Sequence, residues 1–408
     1  MSGRDRTHLL WLRSSAMTAA TISATSLLTA VRSLVPDLAA RRSEIDAQRR
    51  LPSDIVERLR EIGVYRMCFS AEIGGPGLTS LEQFEVVEAL SYGDTATGWC
   101  AMIGAATGIY AGYLDERAVA ELMPTQDLIT AGLIFPAGRA ERVANGYRLT
   151  GRWKFGSAIT HADLVIGGAF VTSGGRMEET AEGAPVVRLF FMPRDQVAVF
   201  DTWDTTGLRG SGSNDYAVEG LFVPEHHSFA FSERKSCRGK LSEPEALARI
   251  MPGVPLGTAR AALDYVRGLA DGKTVNATGQ KWADNYRAQY LLGECEMEYI
   301  VARGAVVNTV EELWNALDHR RFADLPTDLR IATALARTNA FRAAQRILTR
   351  LCELVGTDSI YRPNPLDIWL RDTNTMARHI IAHDQVIQST GAFVMGGRPE
   401  FPFVVGLG

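Results

Sequence analysis

Cysteine is scarce in this 408-residue chain and follows no pattern. Cys68, Cys100, Cys237, Cys295 and Cys352 lie far apart, their number is odd, and no CxxC spacing occurs. A disulfide framework and a zinc ribbon are therefore not expected, and a reducing compartment, the cytoplasm, is. An excess of one charge is also missing: 43 Lys and Arg stand against 47 Asp and Glu, which argues against a polybasic nucleic-acid surface. Long apolar runs are lacking. Ser14 to Val31 is uncharged but holds eight Ser or Thr in eighteen residues, and Thr95 to Leu114 carries four Gly and three Thr. Neither is expected to span a membrane, and the second reads as a buried helical hairpin. The apolar stretch Leu9 to Leu12 is too short for a secretory signal, and residues 1–16 read as an extension outside the fold. No GxGxxG follows a strand, no GxxxxGKS/T loop occurs and no GxSxG elbow is present, so neither a Rossmann site, a P-loop nor a hydrolase nucleophile is expected.

What remains is the composition of an ordinary globular protein, 46% hydrophobic and 22% charged. At about 150 residues per domain the length favours two to three domains. From Met17 to Met123 the periodicity is helical: in LPSDIVERLREIGV, Ile55, Leu59 and Ile62 recur at helical spacing behind Pro52, and Gly63 supplies a stop. Glu72 to Ser80 is a Gly/Pro loop. From about Asp127 to Ser232 the runs become β-rich, at Tyr147–Phe155, Asp163–Val171, Val186–Met192 and Tyr216–Val223, which predicts an antiparallel barrel or sandwich. Helices return at Gly257–Ala270, Ala283–Leu317, Thr327–Val355 and Asp367–Val394. The division that follows is 17–123 helical, 124–232 β and 233–408 helical, and no repeat of fixed period suggests a solenoid.

Several groups invite chemical readings. His379 and His383 stand four residues apart, so on a helix they would lie one above the other. A metal would need a third ligand, no HExxH glutamate is present, and no metal is expected. The open alternatives are two structural histidines, or one that faces a buried cofactor as a base. In GRWKFGSAITHAD, Trp153 and Phe155 fall on one face of a strand that turns at Gly156-Ser157, with His161 beyond. Such aromatics are ordinarily core, yet a planar cofactor could stack there with Ser157 at its polar edge. His226-His227 reads as an exposed loop, and Gly210-Ser211-Gly212-Ser213 as a turn.

The order helix, β, helix, together with FSAEIGGPGLTSLEQFEVVEALSYGD (Phe69 to Asp94), resembles the acyl-CoA dehydrogenase superfamily. PAGRAERVANGYRLTGRWKFGSAITHAD (136–163), TTGLRGSGSNDYAVEGLFVPE (205–225) and SIYRPNPLDIWLRDTNTMARHI (359–380) resemble its two-component flavin-dependent monooxygenases. The resemblance runs over nearly the whole chain from Met17. It implies an α+β, mostly α fold: an N-terminal helical domain, a middle antiparallel β domain and a C-terminal four-helix bundle. The dehydrogenases of the family place a catalytic glutamate shortly after an Arg-Asp; counted from Arg371-Asp372 that place falls on Ile380, beside His379. The alternative glutamate position, before Pro255-Leu256-Gly257, falls on Leu247, with Glu245 only nearby.

The resemblance further implies an oxygenase component supplied with reduced FMN or FAD by a separate flavin reductase. The flavin would react with O2 to a C4a-hydroperoxide and hydroxylate a small aromatic, heteroaromatic or amine substrate, in a pocket kept dry. Ser157 would bond the flavin N5/O4 edge, Trp153 and Phe155 would line the ring, and His379 would contact the peroxide or deprotonate the substrate, with His383 the second candidate. Such a positioned group is worth about 10²- to 10⁴-fold. Lys273 and Arg287 occupy the region from which a neighbouring subunit's cation meets the flavin phosphate, although the expected Arg-x-x-Phe-Gly string is here GKTVNATG; surface ion pairs are their plainer role. A homotetramer is implied, with neither nucleic acid nor membrane as partner. The rival reading is a flavin dehydrogenase or oxidase on the same fold, using Glu245 or another carboxylate.

Overall fold

Ser23 opens the first helix with a capping box: its hydroxyl accepts from the Ser26 amide while Ser26 bonds back to the Ser23 amide. The computed structural model describes residues 22–233, 239–275, 278–318, 320–362 and 364–400, so residues 1–16 and Cys237 lie outside it. Helix α1 (Ala24–Gln48) buries Leu27, Val31, Leu34, Leu38 and Ile45, one stripe at helical spacing. Helix α2 (Ser53–Glu61) buries Ile55, Val56 and Leu59 and ends before Gly63, whose φ of 86° no other residue takes as easily. Helix α3 (Ser80–Gly93) starts from a second capping box, Thr79 with Glu82.

The uncharged run from Thr95 is buried as expected, but it is not a hairpin. It forms two consecutive helices, α4 (Thr95–Ala105) and α5 (Thr107–Ala111), broken where the Thr107 hydroxyl donates at 2.9 Å to the Gly104 carbonyl and meets Thr130 at 2.8 Å. Helix α6 (Glu116–Leu122) follows.

The middle of the chain is one sheet built from β1 (Thr130–Val143), β2 (Gly146–Gly156), β3 (Leu164–Ser173), β4 (Arg176–Met177), β5 (Val187–Pro193), β6 (Ala198–Phe200), β7 (Asn214–Pro224) and β8 (Ser228–Phe229). The order is β6-β7-β2-β1-β3-β5-β8, with β4 beside β3. Pairing is antiparallel everywhere except between β1 and β3, which run parallel. The sequence reading finds four of these strands and misses the 14-residue β1. Gly132, Pro136 and Gly138 interrupt its pattern, and the register shifts between Leu133 and Pro136 and again before Gly138 show the bulges that absorb them.

The C-terminal part comprises α7 (Ala246–Arg249), α8 (Gly253–Gly268), α9 (Tyr286–Ala316), α10 (Thr327–Val355), α11 (Pro365–Met376) and α12 (Asp384–Val394). The expected continuous helix from Asp367 to Val394 is a correction. It breaks after Met376, and an extended His379 (φ −65°, ψ 144°) starts a short 3₁₀ turn, Ile380–Ala382, before α12. One apolar core runs through all three parts, from Leu27 to Ala382. Among the described residues no helix is long and apolar enough to cross a membrane.

Candidate active site

Trp99 sits where the three parts of the fold meet. Helix α4 is capped by Asp94, whose carboxylate accepts from the Thr97 amide at 2.7 Å, and one turn later Trp99 projects from it, 5% exposed. Its indole Nε1 donates to Ser157 Oγ at 3.0 Å, and its ring meets the His379 imidazole edge-on, centroids 5.5 Å apart. The β2 end and the turn before α12 are thereby joined through one side chain.

Ser157 occupies a constrained turn. Phe155 (φ 61°) and Ala158 (φ 67°) on either side of it are both left-handed non-glycine residues, each costing roughly 1–2 kcal/mol. The turn is held by the Ser157 amide on the Phe155 carbonyl at 2.8 Å and the Ala158 amide on the Ser211 carbonyl at 2.9 Å. Strain retained by so many bonds is typical of a site whose side-chain aim matters.

A line of hydroxyls runs back from Ser157. Ser157 Oγ lies 2.7 Å from Ser213 Oγ, Ser213 Oγ 2.7 Å from Ser211 Oγ, and Ser211 donates to the Leu208 carbonyl at 2.7 Å. Each hydroxyl has one proton. With Ser211's committed to Leu208, Ser213 must donate to Ser211 and Ser157 to Ser213, so the chain runs in one direction from the Trp99 N–H to a backbone carbonyl. Ser157 is left with one free lone pair. Gly212 (φ 52°) turns the backbone between the two distal serines. Leu208 is anchored in turn: its amide donates at 2.6 Å to Asp372 of α11, and a Cβ on neighbouring Gly207 would lie 2.1 Å from the Arg371 carbonyl.

His379 is half-buried. Its Nδ1 accepts from the Ile381 amide at 3.4 Å, which leaves the proton of the neutral ring on Nε2. Burial pushes this imidazole down to about 4, and the positive charge of buried Arg337 on α10 adds to the shift. Near neutral pH His379 is thus uncharged, with an Nε2–H that can donate. The next residue of α10, Thr338, donates to the Ile381 carbonyl at 2.8 Å and fixes the same turn.

Other expected site residues fall elsewhere. His383 does not lie above His379 on a helix; it is exposed and caps α12, its Nδ1 accepting from the Gln385 amide at 3.3 Å. Trp153 and Phe155 do not share a face. The register shift between Trp153 and Gly156 and the positive φ at Phe155 break the two-residue alternation. Trp153 is fully buried, stacked on Tyr216 with centroids 5.3 Å apart and donating to the Gly168 carbonyl at 2.8 Å, so it offers no face to a ligand. Phe155 is 58% exposed beside Ser157, perpendicular to the Trp203 ring with centroids 6.4 Å apart. Lys273 is engaged by Asp358 at 2.5 Å and lies 5.0 Å above the Trp282 ring, whereas Arg287 is exposed on the first turn of α9. His161, in the Ser157 turn, keeps a buried Nε2 with no hydrogen-bond partner, and burial pushes it down to about 4. Glu245 is buried and clamped through Oε1 by Arg249, beside α3. The sequence reading missed Trp99, Ser211 and Ser213. The Gly-Ser run was visible, but only tertiary contact makes it a relay.

Residues 23–121 match the acyl-CoA dehydrogenase N-terminal domain and residues 250–384 the acyl-CoA dehydrogenase C-terminal domain. The chain belongs to this family. It is 32% identical over 366 residues to indole-3-acetate monooxygenase of Acinetobacter baumannii, covering 87% of this chain and 90% of that protein. It is 26% identical over 378 residues to the oxygenase component of the FADH2-dependent resorcinol hydroxylase of Rhizobium sp., covering 88% of this chain and 91% of that one. Among solved structures, XiaF from Streptomyces sp. in complex with FADH2 and glycerol superposes with a TM-score of 0.82 at 24% identity, over 92% of this chain and 96% of that one. The family member described here is a flavin-dependent monooxygenase with the acyl-CoA dehydrogenase fold.

The residues around Ser157 fit a flavin in its reduced form. The free lone pair of Ser157 can accept an N–H, which reduced isoalloxazine presents at the nitrogen that is bare in the oxidised ring, and the exposed Phe155 offers an apolar surface beside it.

Proposed function

We propose that this family member is an oxygenase component that hydroxylates a small aromatic, heteroaromatic or amine compound, drawing reduced FMN or FAD from a separate reductase. Bound reduced flavin supplies the electrons that activate O2 and delivers one oxygen atom to the substrate. Ser157 accepts from the flavin N–H, and the one-way hydroxyl line behind it keeps it an acceptor. Phe155 packs against the ring. His379 offers its Nε2–H to the oxygen being transferred, and as a neutral group with a pKa near 4 it adds no mobile proton to the pocket. Trp99 holds Ser157 and His379 in fixed relation and excludes water from between them.

The observation that carries this reading is the Trp99 bridge between a hydroxyl and a neutral imidazole. A dehydrogenase requires a carboxylate to take a proton from carbon, but its usual place is occupied by Ile380, and Glu245 is held by Arg249. The enzyme is supplied with chemically reduced FMN or FAD, O2 and a panel of phenols, indoles and arylamines, and hydroxylated product is counted against hydrogen peroxide. Product from at least one class, lowered about 10²-fold in His379→Ala while oxygen uptake persists, supports the reading. Anaerobic bleaching of oxidised flavin by a substrate, with no oxygen incorporated, sinks it.

The three-part division 17–123, 124–232 and 233–408 remains our proposal for the domains. We also assign the enzyme to the cytoplasm, supported by the free thiols of Cys68, Cys100, Cys295 and Cys352. A homotetramer is supported by the exposed stripe Tyr286, Tyr290, Met297, Ile300 and Val301 on α9, an apolar face for a second copy. In that assembly Arg287, on the same helix, is the cation we place at a neighbouring subunit's flavin phosphate.

A further inference from the structure

His226 and His227 form no loose surface loop. They end a short 3₁₀ turn (Glu225–His227) directly after β7, and both Nε2 atoms point at the same oxygen of Glu121 on α6, at 2.7 and 3.0 Å. The two rings stand 4.4 Å apart, nearly perpendicular at 70°, with side chains only 19% and 17% exposed. The other oxygen of Glu121 is taken by Arg117 Nε at 2.8 Å. Two imidazole nitrogens and one carboxylate oxygen therefore converge within 4.8 Å of one another.

We propose that Glu121, His226 and His227 form a divalent transition-metal site, with zinc the ion it fits, separate from the residues that carry the oxygenation. Two imidazoles and a carboxylate are the donor set of three-ligand zinc sites, with the fourth position left to water. Zn–N and Zn–O bonds of about 2.0–2.2 Å in a tetrahedron require ligand atoms about 3.3 Å apart, so the nitrogen–oxygen separations of 2.7 and 3.0 Å would open by about 0.6 and 0.3 Å. The Arg117 contact fixes the carboxylate as a one-oxygen ligand aimed at the histidines, which is the part an outer-shell partner plays. Each imidazole binds as its neutral Nδ1–H tautomer with the Nε2 lone pair on the metal: a neutral ring shifts its proton from Nε2 to Nδ1, and a cationic ring releases one proton to solvent.

The site would staple α6, the last helix of the N-terminal part, to the end of β7. The turn it fixes leads into β8, where Phe229 stacks on Tyr113 at 5.3 Å and lies 6.0 Å from Tyr110. The ion is thus a structural clamp between helical and β parts.

The test uses the full-length, tag-free protein after chelator treatment. Zn2+ titration by calorimetry should give one saturable site, Co2+ should give visible tetrahedral bands, and Zn2+ should raise Tm. H226A and H227A should each lose the Co2+ bands and the Tm rise while their metal-free Tm stays near that of the parent. E121Q, the conservative variant, should lose both as well, and Arg117→Ala should weaken Zn2+ binding about 10- to 100-fold. Absence of a saturable site in the parent protein, or Zn2+ binding undiminished in H226A and H227A, overturns the proposal.

Discussion

The indole N–H of Trp99 donates to the hydroxyl of Ser157 at 3.0 Å and takes one of its two lone pairs, while the hydroxyl line behind it ends on the Leu208 carbonyl. Trp99 can only donate, so Ser157 accepts on that side, and because Ser211 is committed to the Leu208 carbonyl, Ser157 passes its own proton inward to Ser213. A ligand at Ser157 therefore meets a lone pair and not a proton.

The first prediction concerns that polarity. Reduced flavin should bind more tightly than oxidised flavin, and Ser157→Ala, which removes the acceptor, should narrow the difference. One neutral hydrogen bond is worth about 1 kcal/mol net, or roughly fivefold in affinity. Anaerobic fluorescence titration of both redox forms measures it. Equal affinity of the parent enzyme for the two forms would contradict the wiring.

Trp153 and Phe155 should separate cleanly. Trp153→Phe loses the bond to the Gly168 carbonyl and part of the Tyr216 stack, and should destabilise by roughly 1–3 kcal/mol with little change in flavin affinity. Phe155→Ala removes an exposed ring and should weaken flavin binding with a smaller loss of stability. Urea unfolding and flavin titration on the same two variants check both halves.

His379, pushed down to about 4 by burial and by Arg337, is uncharged across the neutral range. The product-to-peroxide ratio of the parent should show no titration of this imidazole between about pH 5.5 and 8, and His379→Gln, which retains an N–H donor, should recover part of the coupling lost in His379→Ala. A steep loss of coupling with a midpoint near 6.5 would assign His379 the role of a base.

Stability should depend on pH from both sides. His379 and His161 have folded values near 4 against an ordinary 6.5, so the unfolded chain takes up protons first and their contribution is lost as pH falls from about 6.5 through 4. Asp372 behaves oppositely. Burial raises it to about 7 from 3.8, with the Leu208 amide and Arg371 opposing the shift and Asp94 and Asp46 adding to it, so its contribution is full below 3.8 and is lost as pH rises through 7. Asp372→Asn keeps an acceptor for Leu208 and should flatten the loss between pH 4 and 7. Chemical denaturation across that range reads the slope.

Disrupting the α9 stripe should separate subunits. Tyr290→Asp and Met297→Asp place charge on residues 52% and 62% exposed in one chain, so a folded chain should tolerate them while a tetramer should not. Light scattering after gel filtration gives the mass, and an unchanged tetramer would remove this face from the assembly.

The amino-acid sequence by itself determined the helix-β-helix order, the helix Thr327–Val355 to the residue, and Ser157 and His379 as the groups worth watching, because periodicity, caps and short strings are local properties of a chain. It could not decide which groups meet. The Thr95–Leu114 run gave no sign that its tryptophan would reach a serine 58 residues on and a histidine 280 residues on, and Gly210 to Ser213 read as a turn because hydroxyl direction depends on partners outside it. Local rules also failed where tertiary contacts overrode them: a positive φ at Phe155 sent two alternating aromatics to opposite environments, and the break after Met376 took His383 off the helix that would have stacked it over His379. Distance along the chain carries no information about the dielectric around a side chain, so the neutral state of His379 and the upward shift of Asp372 were decided only when the three parts closed around them.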